Sequence, residues 1–227
     1  MAAFVQIGIG SDGTSTTTST TGTGGAGFGS ATTAGNSIVV GCSWGSGGSI
    51  TSVTDSKGNT YTQAGTTITG FTRGLAIFYC LAPTMGASHT VTMNLGASAF
   101  DSQILAHEVS GLTAFDAFVS DNAEAGAPVD TPATTPASDG AYLFGHARMC
   151  ASTDTLAPDT TPNIWVERGS VNAGTDSESQ TQDFVQVTAG SIACEWTASG
   201  TGNCICAMAS FTGAPLPAQN VLMWVQA

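Results

Sequence analysis

Positive charge is almost missing from this chain. Its 227 residues hold four Lys and Arg against sixteen Asp and Glu, a formal charge of −12. Lys57 is the single lysine, and Arg73, Arg148 and Arg168 stand far apart in sequence. Nucleic-acid binding needs clustered cations that displace counterions, so no direct nucleic-acid contact is expected. An anionic membrane surface is disfavoured on the same ground. Charge of either sign is scarce: 9% of residues are charged, against about 25% in an average globular protein. Gly, Ser, Thr and Ala take the vacated places. The hydrophobic share of 41% still suffices for a core and separates this chain from charge-rich disordered ones.

Long apolar runs are missing too. No stretch reaches the ~18 residues that a membrane-spanning helix requires. The opening MAAFVQIGIGSDG has neither the basic n-region nor the long apolar h-region of a secretory signal, so synthesis in a cytoplasm is expected. Six cysteines are present, Cys42, Cys80, Cys150, Cys194, Cys204 and Cys206, with no C-x-x-C pair and no His at zinc spacing. Most read as small buried hydrophobes; disulfides formed after release from a reducing cell are the alternative. No metal or cofactor is expected.

What is present is β pattern. SIVVGCSW (37–44) alternates, with Ile38, Val40, Cys42 and Trp44 on one face. Further alternating runs follow at 75–82, 89–95 and 102–111, then a second series at 141–149, 163–169, 181–188, 191–198 and 203–211. That rhythm is a sandwich or barrel, and no segment holds a 3.6-residue period over a helical length. The expected fold is all-β, a jelly-roll-like or Ig-like antiparallel sandwich of roughly ten strands. Residues 1–36 read as a short strand and an extended Gly/Ser/Thr-rich arm, 37–213 as the sandwich, and 214–227 as a strap with an apolar tail. The Pro/Ala/Thr-rich stretch 121–140 reads as a crossover or linker.

Each candidate for chemistry has a plainer reading. VTDSKGNTYTQAG (53–65) places Lys57 where a calcium loop needs an oxygen ligand, so Asp55, Gly58 and Asn59 read as a hairpin turn. GCSWG (41–45) matches G-x-S-x-G, but no helix can follow it and Ser43 falls mid-strand. His107 and Glu108 alternate along a strand and face opposite ways; His89 and His146 are isolated. Asp101, Glu108 and Asp116 stand singly, without the pairing that a glycosidase needs. Trp44, Trp165, Trp196 and Tyr142 read as core. SIACEWTA and NCICAMASF read as one hairpin, in which Cys194 faces Cys204 or Cys206, an expected cross-strand disulfide. Phe28, and Leu222, Met223 and Trp224 of the apolar tail, are expected to contact a neighbouring molecule.

The string VTDSKGNTYT, then LAIFYCLAPTMGASHTVTMNL, then ILAHEVSGLTAFDA, resembles a β-sandwich family of tailed-phage virion proteins and bacterial surface proteins. The resemblance spans roughly residues 37–120, with Val109 where the pattern often carries an aromatic. It implies a fold and brings no catalytic residues. The expected function is non-enzymatic: a structural virion protein, of the capsid-decoration or head/tail accessory type, assembled in the host cytoplasm. It would bind a capsid or tail lattice and copies of itself. The alternative is a glycan- or host-surface-binding adhesin module.

Overall fold

The computed structural model describes residues 1–22, 27–150, 153–172 and 177–214, and these hold sixteen strands and no helix. The first eight strands are β1 (Ala3–Asp12), β2 (Thr16–Thr20), β3 (Ser37–Trp44), β4 (Ile50–Asp55), β5 (Thr62–Gly70), β6 (Arg73–Cys80), β7 (Val91–Ala99) and β8 (Ser102–Ser110). They form a five-stranded sheet, ordered β1-β8-β3-β6-β5, and a three-stranded sheet, ordered β2-β7-β4. The second eight are β9 (Leu112–Ala123), β10 (Val129–Asp130), β11 (Ala141–Cys150), β12 (Leu156–Pro158), β13 (Val166–Asn172), β14 (Glu178–Gln186), β15 (Glu195–Ala198) and β16 (Asn203–Gly213). Their sheets are β13-β14-β11-β16-β9 and β10-β15-β12.

Adding eight to every strand number of the first pair of sheets reproduces the second pair. The chain is therefore a tandem structural duplication. The order 1-8-3-6 beside 2-7-4 is that of an eight-stranded jelly roll, with its fifth strand folded back on the sixth instead of joining the smaller sheet. Fine detail repeats as well. Thr21 N donates to Val91 O (2.8 Å) while Val91 N donates to Thr21 Oγ1 (2.9 Å). Thr131 and Cys194 make the same two bonds, at 2.9 and 3.0 Å.

The two large sheets pack face to face, giving four layers of three, five, five and three strands. β3 crosses β11 at the centre, β6 lies against β16 and β8 against β14, and β5 lies against β9 and β1 against β13. Exchanging the two units maps this arrangement onto itself, so a pseudo-two-fold axis runs through β3 and β11. The layering explains why SIVVGCSW and AYLFGHARMC are buried along their whole length: alternate residues enter two different cores. Ile38, Val40, Cys42 and Trp44 share a face, as expected, and fill the first unit's core. Leu143, Ala147 and Met149 fill the second's. Val39 and Phe144 meet in the central layer with Leu75, Ile77 and Phe211. Each Val, Leu, Ile, Phe or Met among them, fully buried, contributes about 1.5–3 kcal/mol.

Two expectations change. One sandwich of roughly ten strands is replaced by two of eight strands each. The units meet at Gly111, whose φ of +72° and closeness to the Met1 carbonyl suit only glycine; 121–140 carries the end of β9, crosses to β10 in the small sheet and returns to β11 in the large one. Within residues 1–36, 3–12 are β1 and 16–20 are β2, and 23–26 lie outside the described residues. Finally, 191–198 and 203–211 form no hairpin: β15 pairs with β10 and β12, while β16 pairs with β11 and β9.

Candidate functional site

The Asp55 turn carries β4 of the small sheet over to β5 of the large one, so it is a turn between sheets and not a hairpin. Asp55 accepts hydrogen bonds from Lys57 N (2.9 Å), Asn59 N (3.0 Å), Asn59 Nδ2 (2.7 Å) and Tyr61 OH (3.0 Å). His89 Nε2 lies 2.9 Å from its Oδ2, and His89 Nδ1 lies 2.9 Å from Thr32 Oγ1. An Asp–His–hydroxyl line is the skeleton of a nucleophilic triad. Here the hydroxyl is buried, and Gly86 holds it, with Gly86 N donating at 3.0 Å. Lys57 Nζ donates to Ala87 O at 2.7 Å. The line ties three loops together.

A second polar system lies in the central layer. His107 Nδ1 is 3.1 Å from Tyr142 OH and its Nε2 is 2.9 Å from Thr181 Oγ1. Tyr142 OH donates to Asp183 at 2.9 Å, and Arg168 donates to the same carboxylate at 2.9 Å. The Arg168 guanidinium also covers the Phe4 ring at 4.2 Å. Burial, with Arg168 and His146 nearby, holds His107 well below the ordinary histidine range. Burial and the Asp183 charge push the Tyr142 hydroxyl well up. His107, Tyr142 and Asp183 are all bonded here, and the His107 contacts fasten one unit to the other. Ser43 belongs to the same layer: it meets Ser179 Oγ at 2.6 Å and accepts from Arg148 at 3.1 Å. It is a bonded mid-strand residue with no nucleophile elbow. Glu108 points the other way from His107, accepting from Thr33 N (2.7 Å) and Gln6 Nε2 (2.6 Å) and so pinning the 30–36 segment and β1.

One cleft opens at the end of the first unit. It measures about 290 Å³ and is lined by Trp44, the Gly45–Gly48 loop, Thr69, Thr72 and Arg73. Trp44 Nε1 donates to Gly48 O at 2.9 Å, and Gly45 N donates to Phe100 O at 2.7 Å, tying the loop to the β7–β8 turn. Any Cβ at Gly45, Gly48 or Gly74 would strike Phe100, Ala99 or Trp44 within 2.7 Å. Phe71 (φ +49°) and Thr72 (φ +62°) form the two-residue turn between β5 and β6, and Asp101 (φ +54°) takes the left-handed conformation that Asp tolerates in the β7–β8 turn. Arg73 enters the cleft, and Arg148 is buried behind it, donating to Asp101 O (2.8 Å) and Ser177 Oγ (3.0 Å).

Sequence reasoning missed this gathering; its one signal was the rarity of arginine. Of the residues it did single out, Phe28 is half-buried against the first core, its ring 5.7 Å from His89. Leu222, Met223 and Trp224 lie outside the described residues. Cys194, Cys204 and Cys206 share the second core as free thiols. Because β15 and β16 lie in different sheets, the parity argument for a disulfide among them fails. Cys194 Sγ instead accepts from Gln182 Nε2 at 3.2 Å, and Cys206 Sγ donates to Asp130 O at 3.3 Å. Trp44, Trp165, Trp196 and Tyr142 are core, as expected. Fold and sites together define an all-β tandem jelly roll. Comparison with protein-family models, curated proteins and solved structures finds no match.

Proposed function

We propose that this chain is a non-enzymatic structural protein of a tailed-phage virion, a capsid-decoration or head/tail accessory component. It docks on a protein lattice and on copies of itself, and it is assembled in the host cytoplasm. The observation that carries this reading is the tandem block. Two jelly rolls are locked face to face, and His107 with Tyr142 and Thr181, and Ser43 with Ser179, bond across the layer between them. Such a block is rigid and suits a repeating contact.

Its two outer faces differ, which supports docking in one orientation. On the β2-β7-β4 face, Thr20 Oγ1 meets Thr92 Oγ1 at 2.8 Å, and Asn94 Nδ2 donates to Ser52 (3.2 Å) and Thr54 (3.0 Å). This face is neutral and hydroxyl-rich. At the equivalent places the other face carries Asp130, Glu195 and Asp159, near enough that burial and its two neighbours raise the Glu195 carboxyl. The family resemblance of residues 37–120 points the same way.

The test is sedimentation of native-source material with mass spectrometry of each fraction. Co-migration with particles in the megadalton range is expected; a free small species throughout overturns the reading. A second reading, a glycan-binding module, is favoured by one observation: Phe100 is 54% exposed on the turn beside the cleft.

A further inference from the structure

The chain has four Lys and Arg side chains, and one of them, Arg73, lines the cleft with Arg148 close behind it. One carboxylate, Asp101, accompanies them, and its contact with Arg73 Nη2 is long at 3.9 Å. Arg148 uses its terminal nitrogens on Ser43, Asp101 O and Ser177. Arg73 does not. Its Nε has no hydrogen-bond partner, and Nη1 has only strained contacts with Thr72 O (3.4 Å) and Thr72 Oγ1 (3.3 Å). A guanidinium held mostly out of water with its donor edge unsatisfied is matched to a carboxylate, which accepts two parallel N–H bonds. In a protein of charge −12 this is a local site for an anion.

The surroundings narrow the class of anion. The Gly45–Gly48 loop carries one short side chain, Ser46, so one wall of the cleft is mostly backbone. Thr69 and Thr72 bring hydroxyls to the same cleft. Phe100, 54% exposed, stands on the turn that Gly45 N holds. An exposed ring on the turn beside the cleft for the C–H face of a pyranose, hydroxyls for its hydroxyls and an under-bonded guanidinium for its carboxylate make a coherent set. We infer that the cleft binds a carboxylated sugar residue, a uronic or sialic acid, of an acidic glycan. This goes beyond the structural role and does not depend on it.

The test is calorimetric and ligand-observed NMR titration of the full chain with oligoglucuronate, oligogalacturonate and N-acetylneuraminate. Glucose, the sugar methyl esters, acetate and a short peptide with a free C-terminus serve as competitors. Saturable binding of at least one acidic sugar is expected, with loss on methyl esterification and on Arg73→Gln. Phe100→Ala, at an exposed site that leaves folding intact, weakens binding roughly tenfold. Arg73→Lys keeps the charge without the fork and binds more weakly than the native chain. Thermal melts verify that each variant is folded. The inference is overturned if no acidic sugar binds, if the methyl esters bind as well, or if acetate or the peptide binds as tightly as the sugars. It also fails if Phe100→Ala and a folded Arg73 variant both bind normally.

Discussion

His146 lies against Gly41 across the pseudo-two-fold axis, so closely that a Cβ on Gly41 would stand 2.7 Å from His146 Nδ1. The two positions are equivalent. Gly41 pairs with Ile77 and Leu105 in its own sheet, and His146 pairs with Thr181 and Ala207 at the corresponding places. One unit supplies the ring and the other supplies the gap. Gly41→Ala should therefore overpack the axis and cost about 1–3 kcal/mol in urea unfolding. The double variant Gly41→Ala/His146→Ala should lose less than the sum of the single losses. Additive losses would show that the two units do not touch there.

The same imidazole should be a liability in acid. His146 is fully buried with neither ring nitrogen hydrogen-bonded. Burial first, and then the Arg148 charge, lower its pKa to about 3. In the unfolded chain it takes up a proton near pH 6.5, whereas in the folded chain it stays neutral. Its effect is thus nil above pH 6.5, and stability falls as pH drops from there toward 3, by up to about 1.4 kcal/mol per pH unit. His107 acts in the same direction. Asp183 and Glu178, both raised by burial, oppose it as they protonate in the folded state. His146→Leu removes an unsatisfied polar group worth roughly 1–3 kcal/mol along with the titration. Thermal melts from pH 7.5 to 4.5 should show a higher Tm for this variant and a shallower acid decline than in the native chain.

Strands were legible in the sequence wherever one face meets water or one core, as the shared face of Ile38, Val40, Cys42 and Trp44 shows. The duplication was not. Ile77, Leu75 and Tyr79 of β6 correspond by register to Thr181, Ser179 and Asp183 of β14. The first set is largely hydrophobic and the second is polar, because Thr181 and Ser179 meet His107 and Ser43 across the layer and Asp183 meets Tyr142 on the neighbouring strand. Polar residues in sequence read as surface; here cross-layer partners let them be buried. The Cys194 hairpin was misread because parity says which face a residue takes but not which sheet its strand joins. The cleft was invisible for a related reason. Residues 44–48 and 69–73, which line it, come from separate strand ends that the jelly-roll wrapping brings together, and Arg148 reaches them from the other unit through the stacking of the two large sheets.

Asp55 is the strongest single test of how the loops are held. Its carboxylate serves five donors, two of them the backbone N–H groups of Lys57 and Asn59. Burial alone would raise its pKa, but the bonds from Asn59, His89 and Lys57 outweigh burial and hold it at about 2. The stability it supplies is complete above the ordinary carboxylate value and is lost as pH falls from about 4 toward 2. Asp55→Ala strands the Tyr61 hydroxyl and His89 Nε2 and should cost roughly 2–4 kcal/mol. Hydrogen exchange should show the losses at the Thr32–Asn36 and Thr84–His89 loops ahead of the central layer. A melt unchanged from the native chain would contradict the network.

The cysteines offer a chemical readout of the four-layer packing. Cys42, Cys150, Cys194, Cys204 and Cys206 are buried, and Cys80 alone is partly exposed. Burial raises Cys42, Cys194 and Cys204 far above the usual thiol value and Cys206 to about 12. Both the thiolate fraction and access to reagent are then minimal. In the native state a water-soluble disulfide reagent should modify Cys80 and leave the other five untouched over minutes. In denaturant without reductant, all six should react. Fewer than six reactive thiols in denaturant would mean that a disulfide exists, and non-reducing peptide mapping would identify the pair. Rapid native reaction at Cys194 or Cys206 would mean that the second core opens, against the sealed layer that Gln182 and Trp196 make around Gly145.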